Sequence, residues 1–416
     1  MTIHTAARPA GGVRTHHEWM DVALELAAQG EALASPNPLV GAVLVRGEEE
    51  VARAFHTYDG LKHAEVLALE AAGEAARGAT LYTNLEPCSH RGRTPPCVEA
   101  IIAAGVRRVV AAMPDPNPQV NGAGFQRLRA AGVEVVTGTR AEEARRLNEA
   151  FACRIRTGRP LVTLKAGLTL DGKIAAATPP EPGQRWITGE ESRAHVQRLR
   201  HQADAVLTGI GTVLGDDPLL TDRTDRPRRR PLLRVVLDAG LRLPLDSQLV
   251  RTAQGDVLVF CGEDVWMGKR KKLEEHGVET LQLKESGGRI SLAAVLKELT
   301  ERQINSVLLE AGARLNAYAL DMNLVDKLWL FYAPTFLGAD AVPFLAVTDH
   351  ESRVASHDLS LLHYRLHRFG PLPAEASAQA GLPAEASAQA GLPAEASAKA
   401  GDFAVEGYLH DVYRDH

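Results

Sequence analysis

A chain of 416 residues, 45% hydrophobic and 24% charged, has the composition of a globular protein of two or three domains. Its formal net charge of -5 argues against a broad nucleic-acid-binding face, and no apolar run is long enough to span a bilayer. Four cysteines (Cys88, Cys97, Cys153, Cys261) are too few for a disulfide scaffold, and residues 1–14 lack the apolar core of a signal peptide, so a reducing, cytoplasmic setting is expected.

Residues 1–16 read as a flexible extension. An amphipathic helix over 17–34 follows, with Trp19, Val22, Leu26 and Leu33 on one stripe. Leu39–Val45 is a buried-strand run, and Val51–Phe55 can pair with it through a turn at Gly47. Then come a helix from His63 to about Ala72, strand 80–83, helix 97–104, strand 106–112, helix 123–131 and strand 133–136. This alternation predicts a three-layer α/β/α domain over 17–153. Glu142–Arg156 reads as a linking helix.

A second α/β domain, 160–416, opens with the strand at Leu161. Further strands are expected at 204–209, 232–237, 257–261, 278–283, 305–310, 325–333, 361–369 and 402–413. Helices are expected at 190–202, 268–276, 291–302 and 313–321, the first opened by a capping box of Thr188 and Glu191. A ten-residue repeat, Leu-Pro-Ala-Glu-Ala-Ser-Ala-Gln-Ala-Gly, begins at Leu372 and recurs at Leu382 and, with Lys399, at Leu392. It carries almost nothing to bury and reads as a flexible insertion over 372–401 in a surface hairpin. The run Arg226-Pro227-Arg228-Arg229-Arg230 reads first as a solvated loop and second as an attractor for a cofactor phosphate.

The strongest chemical signal is His63-Ala64-Glu65 followed by Pro87-Cys88 and, with eight residues between, Cys97. One imidazole and two thiolates form the ligand set of a catalytic zinc whose fourth position is left for water. His-x-Glu with Pro-Cys-x-x-Cys marks zinc deaminases, in which the glutamate carries protons between water and the departing amine. Residues i and i+2 do not share a helix flank, so His63 and Glu65 must both sit at a helix start and point at its end. Helix N-termini near Cys88 and Cys97 would favour their thiolates. A structural zinc site would need a fourth ligand, for which His56 and His90 are available.

These motifs resemble a known family. Pro36-Asn37-Pro38-Leu39-Val40-Gly41-Ala42-Val43, His63–Val66, Glu86–Cys97 and Asp115–Val120 are similar to the deaminase half of the bifunctional riboflavin-biosynthesis deaminase/reductases. The long cysteine spacing is specific to that branch. Lys165–Lys173, Trp186–Gly189, Gly211–Pro218 and Glu310–Gly312 resemble the reductase half, in the family's order. The resemblance runs from about residue 17 to 413, apart from the repeat.

The resemblance implies two consecutive reactions: hydrolytic deamination of a diaminopyrimidinone ribotide, then NADPH-dependent reduction of its ribose to a ribityl chain. It implies one zinc ion per chain, a cytidine-deaminase-like first domain and a dihydrofolate-reductase-like second domain. Asn37, His56, His90, Arg93 and Asn117 would contact the deaminase substrate, with Arg93 beside the zinc suited to a 5′-phosphate. Gly167, Trp186, Thr212, Asp216 and the turn Gly312-Ala313-Arg314-Leu315-Asn316 would contact NADPH. Lys165, Asp171, Gln184, Arg200, Leu220, Arg223 and Glu310 would line the reductase substrate site. Gln184 and Ala239 stand where relatives place serines, which predicts altered affinity more than lost activity. Gly209-Ile210-Gly211 followed by Leu214 is no dinucleotide fingerprint; it suits a tight strand-to-helix turn. The resemblance further implies self-association through the reductase half, for which the apolar stretch Leu324–Phe336 is available, and no nucleic-acid or membrane partner. A deaminase acting on a base in RNA is disfavoured by the acidic balance and the second domain, and a metal-stabilised inactive scaffold by Glu65 and the intact cysteine pair.

Overall fold

The computed structural model describes residues 14–118, 120–178, 186–286, 288–346, 361–370 and 401–413. Gln184, residues 1–13 of the expected extension and residues 372–400 of the repeat lie outside the described residues.

Helix α1 (His16–Ala28) opens on a capping box in which Thr15 and Glu18 satisfy each other's amides. It ends at Ala28 rather than near 34, because the chain turns at Ala32, whose φ is 57°. Trp19 and Leu26 are buried on its inner stripe, whereas Leu33 falls beyond its end. Strands β1 (Gly41–Arg46) and β2 (Glu49–Phe55) pair as an antiparallel hairpin around Gly47, whose positive φ of 66° the turn requires. They are followed by α2 (Ala64–Ala72), β3 (Thr80–Thr83), α3 (Cys97–Ala103), β4 (Arg108–Ala111), α4 (Ala123–Ala130) and β5 (Glu134–Thr137). The sheet runs β2-β1-β3-β4-β5, with β3, β4 and β5 parallel. Gly41–Val45 is buried without alternation, as a strand covered on both faces must be.

The linking helix is broken in two, α5 (Ala141–Leu147) and α6 (Glu149–Thr157). Asn148 causes the break. Its side chain accepts from Leu39 N (2.8 Å) and donates to Leu39 O (3.0 Å), reaching back to the Pro36–Val43 motif instead of lying along a helix.

The second domain contains β6 (Leu161–Thr169), β7 (Lys173–Ala175), α7 (Glu190–Gln202), β8 (Ala205–Gly209), α8 (Ile210–Asp216), β9 (Leu233–Leu237), α9 (Gln248–Arg251), β10 (Val257–Cys261) and α10 (Met267–Glu275). It continues with β11 (Val278–Gln282), β12 (Glu285–Ser286), β13 (Arg289–Ile290), α11 (Leu292–Glu301), β14 (Ser306–Leu309), α12 (Ala313–Asp321), β15 (Lys327–Ala333), β16 (Val342–Pro343), β17 (His363–Phe369) and β18 (Asp402–Tyr408). The main sheet runs β11-β10-β9-β8-β14-β6-β15-β18-β17. Neighbours from β11 to β15 are parallel, and β18 and β17 close the edge antiparallel. This mixed, mostly parallel sheet is the one the resemblance to dihydrofolate reductase implied.

Three expectations change. Thr188 does not cap α7: the N-cap is Gly189, and Asp402 from β18 accepts from both Gly189 N and Ser192 Oγ (2.6 Å), taking the capping role from across the sheet. Leu324–Phe336 is no free strand for association, because β15 is paired on both sides; among the described residues the edge is β17. The arginine run is a solvated loop only at its start, where Arg226 and Pro227 are exposed. Arg228 donates to the carbonyls of His201 and Ala203 (2.7 Å each) and Arg230 to that of Gln303 (2.7 Å), while Arg229 reaches into the first domain. Three successive cationic side chains stay ordered because each meets carbonyl oxygens that the surrounding turns leave unpaired.

Candidate functional site

In the first domain the metal-type residues converge on the start of α2 and α3. His63 is the N-cap of α2 and Glu65 its second residue, so both project from the helix end as the spacing required. Cys97 is the first residue of α3, and its amide donates to Cys88 Sγ (3.3 Å). His63 Nδ1 lies 3.5 Å from Cys88 Sγ and 3.1 Å from Cys97 Sγ. Tetrahedral zinc with ordinary bond lengths places nitrogen and sulfur ligands about 3.6 Å apart, so this donor set fits the ion. The hydrogen bond between the two sulfurs pulls the Cys88 thiol down and pushes that of Cys97 up, so the pair shares a proton. A divalent cation between them would displace the remaining proton.

Glu65 is buried, and its Oε2 has no hydrogen-bond partner among the described residues. Burial pushes its carboxyl up to about 7, against the pull of His63. It faces a cavity of about 310 Å³ that Asn37, His56, His90, Arg93 and Asn117 also line. All five residues expected at the deaminase substrate are therefore brought together.

The four-ligand alternative fails for His56. Its Nδ1 donates to the Lys62 carbonyl (3.0 Å) and its Nε2 accepts from Asn37 Nδ2 (2.9 Å). Burial lowers its pKa and keeps the ring neutral, which that pattern needs. The same bond aims the Asn37 amide. His90 is exposed at the cavity rim. Among the described residues His63, Cys88 and Cys97 are the one group of this kind.

The motifs did not single out three further residues at this site. Buried Glu86 accepts from the amides of Asp115 (3.0 Å), Gly122 (2.9 Å) and Gly124 (2.8 Å), shaping the loop that carries Asn117. Asn84 brackets β1 by donating to Leu39 O (2.8 Å) and accepting from Gly41 N (2.9 Å). Arg154 of α6 lines the cavity from the linking helix. Glu86, directly before Pro87-Cys88, was within reach of sequence reasoning; the others depend on tertiary placement.

In the second domain Glu310, just past β14, receives Arg200 Nε (2.7 Å) and Lys165 Nζ (3.2 Å). Burial would raise its pKa, but Lys165 and Arg200 outweigh that and hold it down at about 2. Thr212 stands beside Gly312: a Cβ on Gly312 would lie 3.7 Å from Thr212 Oγ1. Gly312 begins α12 without a side-chain cap, leaving helix-end amides to serve an anion. Two uncapped helix starts at the ends of adjacent parallel strands β8 and β14 suit the pyrophosphate of a dinucleotide. Trp186 is 64% exposed, with Arg193 over its ring, so it is no core anchor.

Arg200 also donates to the carbonyl of Thr221 (3.0 Å), between Leu220 and Arg223, and the remaining expected residues have partners of their own. Asp171 accepts from Thr169 Oγ1 and from Gly338 N (2.8 Å), tying a turn to the loop after β15. Leu220 is buried with a φ of 53°, Arg223 is exposed, and Asn316 is buried with its amide on Phe344 O (3.3 Å). Asp216 lies at the exposed end of α8.

Residues 13–113 match the family described as the cytidine and deoxycytidylate deaminase zinc-binding region, and residues 160–365 match the RibD C-terminal domain. The chain is 44% identical to the riboflavin biosynthesis protein RibD of Escherichia coli over 329 residues, spanning 78% of this chain and 89% of that one. It is 43% identical to its counterpart from Aquifex aeolicus, over 77% of this chain and 87% of that one. A solved Acinetobacter baumannii RibD structure superposes with a TM-score of 0.74 at 34% identity, covering 94% of this chain and 98% of that one. A Thermotoga maritima structure described as a diaminohydroxyphosphoribosylaminopyrimidine deaminase and 5-amino-6-(5-phosphoribosylamino)uracil reductase gives 0.73 at 32% identity, with the same coverage. The chain belongs to the RibD family of riboflavin biosynthesis, a zinc-dependent deaminase and an NADPH-dependent reductase in one polypeptide.

Proposed function

We propose that the first domain, 17–153, deaminates 2,5-diamino-6-ribosylamino-4(3H)-pyrimidinone 5′-phosphate and that the second, 160–416, reduces the ribosyl group of the product to give 5-amino-6-ribitylamino-uracil 5′-phosphate. The carrying observation is the convergence of the His63–Cys88–Cys97 donor set, Glu65 with its unpartnered Oε2, and five polar contact residues on one cavity. Zinc held by the three ligands supplies Lewis-acid activation of the attacking water. Glu65 accepts the water's two protons in turn and delivers one to the ring nitrogen and the other to the departing amine; its free Oε2 is the atom for this. Asn37, fixed by His56, offers its carbonyl oxygen to the pyrimidinone edge. Asn117 and His90 flank the ring, and Arg93 binds the 5′-phosphate.

NADPH supplies the hydride for the second step. Gly167, Trp186, Thr212, Asp216 and residues 312–316 bind it, and the pyrophosphate is received by the start of α12. Hydride transfer asks the protein mainly for orientation. Glu310 fixes Lys165 and Arg200 toward the sugar, Arg223 reaches the phosphate, and Leu220, Asp171 and Gln184 complete the substrate site. The domains pair into a homo-oligomer through the reductase half. Strand β17, the edge of the sheet among the described residues, supports this, with Tyr364 65% and Leu366 67% exposed. A reducing cytoplasmic setting suits four unpaired cysteines, two of them needed as thiolates.

The test is ammonia release from the ribotide by chelated and zinc-restored protein. Restoration at one zinc per chain is expected; release that ignores zinc would reject the deaminase assignment.

A further inference from the structure

The loop between Cys88 and Cys97 is not positioned by the deaminase domain alone. Arg93 stacks on Tyr58, its guanidinium carbon 4.4 Å from the ring centroid. The same ring receives Arg229 of the reductase domain at 4.2 Å. Two guanidinium groups thus share one phenol. Each is attracted by the ring's electron-rich face, while the two cations repel each other. Among the described residues neither pairs with a carboxylate. One positive charge on the cavity lining, with a second behind it across the Tyr58 ring, suits a phosphate dianion.

Arg229 is held where it can do this. Its amide donates to Ala32 O (3.0 Å) and its Nε to Ser35 O (3.1 Å). Tyr58 N donates to Leu33 O (3.1 Å) in the same turn. Ser35 Oγ in turn donates to Asp204 Oδ2 (2.8 Å), and Asn305 Nδ2 to Pro36 O (3.0 Å), both from the reductase domain. The turn between α1 and β1 is thereby clamped from across the domain boundary. Arg93 lines the cavity, whereas Tyr58 and Arg229 stand behind it.

We infer that Arg229 is a positioning residue for the deaminase: through Tyr58 it holds Arg93, and adds its own charge, so the reductase domain sets the first reaction's selectivity for a 5′-phosphate. This rests on reading Arg93 as the phosphate ligand. The experiment measures ammonia release from the diaminopyrimidinone ribotide and from the same compound without its phosphate, using the full zinc-loaded chain.

Arg229→Ala should raise KM for the ribotide about tenfold, keep kcat within about twofold, and leave the dephosphorylated compound unaffected. Tyr58→Ala should reproduce this, Tyr58→Phe should resemble the parent, and Arg229→Lys should recover much of the loss. An Arg229→Ala effect equal on both substrates, or none on either, would overturn the inference. Arg93→Ala separates the two readings. If it fails to discriminate between the substrates, the phosphate assignment of Arg93 falls; if it discriminates and Arg229→Ala does not, only the role of Arg229 falls.

Discussion

The two domains carry their chemistry in opposite ways. The motif residues of the deaminase site come from a short span, Asn37 to Asn117, with Arg154 added from the linking helix, and its key groups sit at helix starts and in one loop. The reductase cluster draws Lys165, Arg200 and Glu310 from β6, α7 and the end of β14, nearly 150 residues apart in sequence. The difference follows from the reactions. Deamination needs an acidified water and a proton carrier within a few ångströms, so its residues come as a spaced motif. Hydride transfer needs two ligands oriented, and any rigid sheet edge with anion-binding helix starts can do that. One site is built around a donor set, the other around a buried ion cluster.

The largest expected effect breaks the first site alone. Glu65→Gln should lower deamination by about 10³-fold, within the range for lost acid–base catalysis, while zinc stays near one per chain and reduction of the deaminated product is unchanged. Metal analysis alongside ammonia release checks this; zinc loss in the variant would make Glu65 a structural group instead.

The ion cluster makes a contrasting prediction. Folding lowers Glu310 from an ordinary 4.5 to about 2, so its stabilisation is present above 4.5 and fades as pH falls toward 2. That shift corresponds to on the order of 3 kcal/mol. Glu310→Gln leaves Lys165 and Arg200 uncompensated and should cost about 3–5 kcal/mol at neutral pH. Thermal melts should show the gap between parent and variant narrowing from pH 6 to pH 3. A constant gap would contradict this electrostatic origin.

Smaller effects sharpen the comparison. Arg223→Ala should raise the reductase substrate's KM about tenfold, roughly 1.4 kcal/mol, with deamination untouched. Unchanged steady-state reduction would remove Arg223 from the site. Smallest of all should be deletion of residues 372–400. Phe369 pairs with Asp402, so the chain leaves and rejoins the sheet at one point, and a three-residue loop can close it. Gly401 must stay, since a Cβ there would lie 2.1 Å from Phe369 O. Both activities should remain within about twofold; a large loss would give the repeat a functional role.

Much of this was legible in the sequence because the signals are local. Strand 80–83 and helices 190–202 and 313–321 sit where periodicity placed them, and His63 and Glu65 lie at the helix start their spacing demanded. What was hidden depends on partners distant in sequence. Asn148 breaks a helix to reach Leu39, Asp402 displaces Thr188 as the cap of α7, and Arg229 leaves solvent for Tyr58. A polar residue's partner is set by tertiary packing, and a run of arginines carries no mark of which carbonyls await it.

The most direct measurement is NADPH oxidation after adding the diaminopyrimidinone ribotide to purified zinc-loaded protein. Oxidation should follow ammonia release and stop when zinc is removed. Oxidation persisting without zinc, or ammonia release with no oxidation, would contradict two consecutive activities in this one chain.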